Sequence, residues 1–280
     1  MTNQQVNNIV ILTSGSIRHT YFRMGLALSQ NINVQASFVE SSPEDSSNPA
    51  PIVPEILTDP LNLHLVARHN TEYDYFGPFI KLSEDKSKPI FISRGEINIE
   101  RNVEMITKLN PELIVTYGCS IIKEPLLKLF PNRIINVHLG LSPYYRGSGT
   151  NFHAMARGDF QCVGVTYMFM DAGIDTGPII HQRRAEFLPF DNPHQIGNRL
   201  ISQTVFDVDK LVRNFSRITV SPVITTVKGL VFKRKDATPE VNATLYRLFE
   251  SNAVIEYLKI RAEREEQFPI VEQSWLRDMV

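Results

Sequence analysis

The 280-residue chain carries 29 Lys and Arg against 30 Asp and Glu, a formal net charge of -1, with 42% hydrophobic and 21% charged residues. That balance excludes bulk disorder, and no apolar run approaches the roughly 20 residues of a membrane-spanning helix. Near-zero charge supplies no general attraction to nucleic acid. Two cysteines, Cys119 and Cys162, are too few for a disulfide framework. The N-terminal MTNQQVNNIV has neither a basic n-region nor a signal-like apolar stretch, so the expected class is a cytoplasmic globular protein without membrane attachment.

Residues 9–12, Ile-Val-Ile-Leu, read as a strand that runs into the turn-prone Thr13-Ser14-Gly15-Ser16. Tyr21, Phe22, Met24, Leu26 and Leu28 follow at helical spacing, and residues 34–39 give a second strand. Strand, turn, helix, strand is the opening of a parallel α/β sheet. The Ser- and Pro-rich residues 41–56 read as an exposed loop. Asp59-Pro60 supplies a cap and a first-turn proline for a helix over about residues 59–76. Further helices are predicted over 98–109, 121–130 and 193–215, with strands over 112–116, 133–137, 163–170 and 178–187. Beyond residue 215, a strand over 223–231 and helices over 239–248 and 253–267 are expected. The organisation is a core of residues 1–215 with a small α+β appendage, residues 216–280.

Polar residues cluster where an open α/β sheet places its chemistry, at the carboxyl ends of strands. Asn136 and His138 are two apart, so their side chains share one side of an extended segment. Asp175 lies in the turn-rich Asp171-Ala172-Gly173-Ile174-Asp175-Thr176-Gly177. Taken singly, each ordinarily satisfies a nearby backbone group. Together, an amide, an imidazole and a carboxylate suit acyl transfer: two donors for an oxyanion and a carboxylate to orient the imidazole or move protons.

The segments Asn136-Val137-His138-Leu139-Gly140-Leu141-Ser142-Pro143-Tyr144-Tyr145-Arg146-Gly147, Gly164-Val165-Thr166 and 171–180 resemble, in order and spacing, the formyltransferase family. The likeness runs over about residues 95–200 and more weakly back to residue 9. It implies a Rossmann-like catalytic domain with a mostly parallel sheet, 10-formyltetrahydrofolate as donor, no metal, and Asn136, His138 and Asp175 as catalytic residues. It also implies a folate site at Tyr117, Gly118, Cys119, Ser120 and Ile121, with Asp171 and Gly173. Without the resemblance, the same segment reads as an ordinary βα turn with Ser120 capping a helix. Cys119 is then a small pocket-lining or core residue.

The acceptor amine is open at this level. Ser14, Gly15 and Ser16 precede a helix and can offer backbone N–H groups to a phosphate, with Arg18 beside them. The same loop serves equally well as a simple turn, and it lacks both the G-x-G-x-x-G pattern and the P-loop lysine. Tyr145, Arg146 and Gly147 complete the expected acceptor contacts. The 65 residues after the core are short for the OB-fold domain of the family's tRNA-directed members, and their sequence resembles the extensions of amino-sugar formyltransferases. The expectation is therefore a nucleotide-linked amino sugar as acceptor, no nucleic-acid partner, and a homodimer as the family suggests. The alternatives are methionyl-tRNA, a siderophore-type hydroxyornithine, hydrolysis of the formyl-folate, and a non-catalytic folate- or nucleotide-binding module.

Overall fold

The computed structural model describes residues 7–41 and 60–277. Its main sheet has seven strands: β1 (Asn7–Ser14), β2 (Ile32–Glu40), β3 (Pro89–Ile92), β4 (Leu113–Tyr117), β5 (Ile134–His138), β7 (Gly164–Phe169) and β8 (Ile179–Arg184). They lie in the order β3-β2-β1-β4-β5-β7-β8. The first five are parallel, and β7 and β8 add antiparallel to β5. Strand order reverses between β1 and β4, which opens a crevice beyond their carboxyl ends. The mostly parallel α/β sheet expected from the sequence is the observed fold.

Alternation along β1 explains why the sheet is covered on both faces. Ile9 and Ile11 enter one apolar cluster, with Phe22 and Leu26 of α1 (Ile17–Ala27) and Leu200 and Val208 of α6 (Pro193–Arg213). Val10 and Leu12 enter another, with Val103 and Ile106 of α3 (Glu100–Leu109). Gly25 lets α1 approach α6, because a Cβ there would stand 2.9 Å from Val205 Cγ1. Helix α6 starts on a capping box, in which Asn192 Oδ1 accepts from the His194 and Gln195 backbone and Gln195 Oε1 accepts from Asn192 N.

Helix α2 runs over Pro60–Leu82, longer than expected, while Asp59 and most of the Ser- and Pro-rich stretch lie outside the described residues. Two expectations are corrected. The helix predicted over 121–130 shrinks to α4 (Leu126–Leu129), so Ser120 caps no helix. Asn98 holds the preceding backbone in another shape, donating from Nδ2 to Ile121 O and accepting from Lys123 N at 2.8 Å. Pro125 further disfavours a helical residue before it. The strand predicted over 223–231 shrinks to β9 (Leu230–Phe232), paired with β6 (Tyr145–Gly147), a short strand not foreseen from sequence. Strand β3 and helix α5 (Thr150–Ala156) were not foreseen either.

The last residues pack back on the sheet through α7 (Pro239–Glu250), α8 (Ala253–Glu266) and α9 (Ser274–Arg277). Leu245, Val254, Tyr257 and Leu276 join the same cluster as Ile9 and Val115. The chain before α9 runs beside β8, where Gln182 N donates to Val271 O at 2.7 Å. Trp275 packs half-buried against that cluster, and its Nε1 donates to Gln273 Oε1 at 3.1 Å.

A buried carboxylate ties α6 to the sheet. Asp207 is fully buried and accepts from Arg183 Nε (2.6 Å) and Nη2 (2.7 Å) and from Tyr167 Oη (2.9 Å). Removing one member of such a network strands the others. Asp207→Ala is expected to lose about 3–5 kcal/mol in urea denaturation; a loss below about 1 kcal/mol would contradict this role.

Candidate active site

Asn136 and His138 point from the end of β5 into the crevice, and the connection between β7 and β8 brings Asp175 to them. Asp175 Oδ1 accepts from Asn136 Nδ2 at 3.2 Å, and Oδ2 lies 3.3 Å from His138 Nδ1. Oδ2 also accepts from Gly147 N at 2.8 Å. Asp175 holds a left-handed backbone, φ 50°, which an Asp tolerates better than most residues. The loop that presents it is closed by Asp171, whose Oδ1 accepts from Gly173 N and from Thr176 Oγ1, both at 2.9 Å.

The imidazole is held at both ends. His138 Nε2 lies 3.1 Å from the Tyr145 carbonyl, which only accepts, so Nε2 carries a proton. Asp175 Oδ2 faces Nδ1 at 3.3 Å, long for a charge-assisted bond, so a proton delivered to Nδ1 during reaction can be shared with an incoming oxygen. The amide is oriented too: Thr116 Oγ1 donates to Asn136 Oδ1 at 3.0 Å, and this fixes Nδ2 toward Asp175.

These groups line a cavity of about 730 Å³. Of the residues predicted from sequence, Ser14, Ser16 and Arg18 line it, as do Tyr117, Gly118, Cys119, Ser120 and Ile121. Asn136, His138, Gly147, Asp171, Gly173 and Asp175 do so as well. Gly15, Tyr145 and Arg146 are not in its wall. The Tyr145 ring turns away, its hydroxyl donating to Asp159 Oδ2 at 2.5 Å, and only its carbonyl serves the site. Gly118 adopts φ 70°, and a Cβ there would stand 2.2 Å from His19 Nε2. Ser120 N donates to Glu40 Oε2 at 2.6 Å, so the carboxylate ending β2 sets the turn after β4. Burial and the Glu40 carboxylate push the Cys119 thiol up to about 12, which leaves it no thiolate character.

A further part of the lining, apart from Arg18, was not foreseen from sequence. Glu72 of α2 accepts from Arg18 Nη1 at 2.6 Å and lies 3.8 Å from Arg68 Nε. Lys233 and Arg234, just after β9, complete a cationic side. Burial pulls the Arg68 pKa down, reinforced by Arg18 and Arg234 and opposed by Glu72. Beside it, Tyr246 Oη bridges His64 Nδ1 and His194 Nε2, each at 3.1 Å. Burial, then the neighbouring His194 and Arg68, lower His64 to about 3; burial and Arg68 lower His194 to about 4 against the pull of Glu72. A helical Arg-x-x-x-Glu pair, Arg68 and Glu72, is the one local signal that marks this part of the lining. Among the described residues no group of three His, Cys, Asp or Glu is placed to hold a metal, and no helix is long and apolar enough to cross a membrane.

An open α/β sheet with an amide, an imidazole and a carboxylate converging beyond its strand ends defines a Rossmann-like group-transfer class. Residues 67–205 match the formyl transferase family. It is 36% identical over 127 residues to a methionyl-tRNA formyltransferase of Desulforamulus reducens, covering 45% of this chain and 39% of the relative. To that of Desulfotalea psychrophila it is 29% identical over 175 residues, covering 58% and 53%. The matches thus span about half or less of the curated relatives' length. Among solved structures, glycinamide ribonucleotide transformylase 1 of Symbiobacterium toebii superposes with a TM-score of 0.54 at 18% identity, over 79% of this chain and 96% of that one. A sugar N-formyltransferase of a Shewanella species gives 0.52 at 17%, over 83% and 78%. At these identities the likeness is one of fold.

The histidine pair carries a pH dependence whose sign is fixed. Folded, both rings stay neutral until about pH 4 and 3, whereas unfolded rings take protons near 6.5. Their contribution is constant above about pH 7 and turns destabilising as pH falls below 6.5, by about 2 kcal/mol per ring at pH 5. Urea midpoints measured between pH 7.5 and 5 are expected to fall more steeply in the wild type than in a His64→Gln/His194→Gln double variant. Equal slopes would contradict the neutral pair.

Proposed function

We propose that the protein transfers the formyl group of 10-formyltetrahydrofolate to the primary amine of a small anionic acceptor, most simply a nucleotide-linked amino sugar. The observation that carries this reading is the Asn136–His138–Asp175 constellation in one cavity whose lining also holds Arg18, Arg68, Lys233 and Arg234. The folate end of that cavity has Ile122, Val137, Met168 and Met170 as apolar surface for a flat ring, and Gly118 has no side chain to obstruct its approach. Tyr117, Cys119, Ser120, Ile121, Asp171 and Gly173 line the same cavity.

The amine attacks the formyl carbon, forming a C–N bond and turning the carbonyl into an oxyanion. Asn136 Nδ2 has a second N–H beyond the one given to Asp175, and with the Nδ1 proton of His138 it holds that oxyanion. Asp175 balances the imidazolium charge and relays the proton lost by the amine. Collapse of the intermediate breaks the bond from the formyl carbon to the folate nitrogen, which takes up the proton. Ser14, Ser16 and Arg18, with Arg68, Lys233 and Arg234, meet the acceptor's negative charge, and residues 216–280 act as an appendage to the 1–215 core that closes this side. Two free thiols suit work in a reducing, cytoplasmic compartment.

A second reading, methionyl-tRNA as acceptor, is favoured by the sequence relatives, which carry that name. A panel of amines with 10-formyltetrahydrofolate, read by product mass, separates the two. Transfer to a sugar-nucleotide amine is expected. Transfer to methionyl-tRNA alone would overturn the acceptor, and formate release without an amine would favour hydrolysis. Asp175→Asn and His138→Ala are expected to lower kcat by about 10²–10⁴-fold, and Asn136→Ala by about 10²–10³-fold. Near wild-type turnover in the first two would contradict the mechanism.

A further inference from the structure

Strand β6 is only three residues long, yet both edges of its backbone are in use. Alternate residues of a strand present their N–H and C=O groups to opposite sides. On one side, the Tyr145 carbonyl takes the His138 Nε2 proton and the Gly147 N–H is donated to Asp175 Oδ2. On the other, the Tyr144 carbonyl accepts from Leu230 N at 2.8 Å and Ser148 N donates to the Phe232 carbonyl at 2.9 Å. The bonds that fix the imidazole and the carboxylate are therefore made by a strand whose far edge is held by β9.

The pairing is locked at both ends. A Cβ on Gly229 would stand 2.0 Å from Pro143 O, and one on Gly147 would stand 2.1 Å from Phe232 O. These glycines permit a backbone approach that side chains would prevent. Between them, the Phe232 ring stacks on His153 at 4.1 Å and 10°, and lies parallel to Tyr145 at 5.7 Å and 7°. A slip of β9 would part the ring from both partners, so the stack resists it.

We infer that Phe232, which lines the cavity and pairs with Gly147 across the β6–β9 ladder, is a positioning residue: it sets β6 so that Tyr145 O and Gly147 N hold His138 and Asp175 in their reactive geometry. The inference deepens the proposed formyl transfer and rests on that reading for its kinetic part. Displacements of the order of 1 Å at a reacting group cost roughly 10²-fold in rate, so a small loss of register is visible in turnover before it is visible in folding.

The test uses the full chain with Phe232→Leu, which removes the stack but keeps apolar volume, and Phe232→Tyr, which keeps the ring. In Phe232→Leu, kcat is expected to fall about 10–100-fold while KM for 10-formyltetrahydrofolate stays within about threefold. The ¹⁵N resonances of the His138 ring are expected to shift as the Nε2–Tyr145 carbonyl bond weakens, and Phe232→Tyr restores both readouts. Unchanged resonances and kcat in a folded Phe232→Leu protein would overturn the inference. Should that variant not fold, amide hydrogen exchange on the wild type decides: the Ser148 and Gly147 amides are expected to open together. Gly147 remaining protected while Ser148 exchanges would overturn the coupling. If no amine is formylated even by the wild type, the functional reading fails, while the resonances and the exchange still judge the positioning.

Discussion

One carboxylate joins the parts of this site. Asp175 receives the Asn136 amide on Oδ1 and meets the His138 ring and the Gly147 N–H on Oδ2. These groups come from the end of β5 and from β6, while Asp175 itself sits between β7 and β8. Three segments of chain with no local reason to meet are thereby drawn to one charge. The sheet supplies coarse placement, since β5 pairs with β7 antiparallel and sets His138 opposite Thr166. Thr166 in turn donates to Gly140 O at 2.6 Å and accepts from Ser142 N at 3.0 Å, which shapes the loop leaving His138. Fine placement depends on polar bonds in a partly dry crevice, where each is worth more than in water and each unmade one is costly.

The cavity carries charge of both signs. Its lining holds the Asp175 carboxylate with its donors and the cations Arg18, Arg68, Lys233 and Arg234, of which Arg18 and Arg68 meet the buried Glu72. Glu72 compensates Arg18 closely and Arg68 only at longer range, so positive charge remains toward the cavity. The neutral His64–Tyr246–His194 bridge beside it adds hydrogen-bonding surface without adding to that charge. An acceptor that carries both an amine and negative charge would meet complementary groups in this lining.

The strands carrying Ile9, Val34, Ile114 and Ile134 were legible because runs of β-branched residues end in turn signals, and Asn136 and His138 declared a shared face by their spacing. Strand β3 escaped notice because four residues between charged and turn-forming neighbours give no period. Helix formation over 121–125 was over-read: the apolar spacing is there, but Asn98 takes the backbone groups a helix would need. The β6–β9 pair was invisible for a different reason, since Tyr145 and Leu230 are partners only through the folded chain. The Arg68–Glu72 wall belongs to the same kind, with its meaning set by Arg18 on another helix. What local chemistry dictates could be read from the residues; what register and long-range charge dictate could not.

The central assignment is that this centre moves an intact formyl group onto nitrogen. It is tested most directly by following 10-[¹³C]formyltetrahydrofolate through a single turnover with an amino-sugar nucleotide, observing the labelled carbon by NMR. Appearance of the label as a formamide carbon bonded to the acceptor nitrogen, at a rate abolished by Asp175→Asn, is the expected result. Label that stays on the folate, or leaves only as free formate, would contradict it.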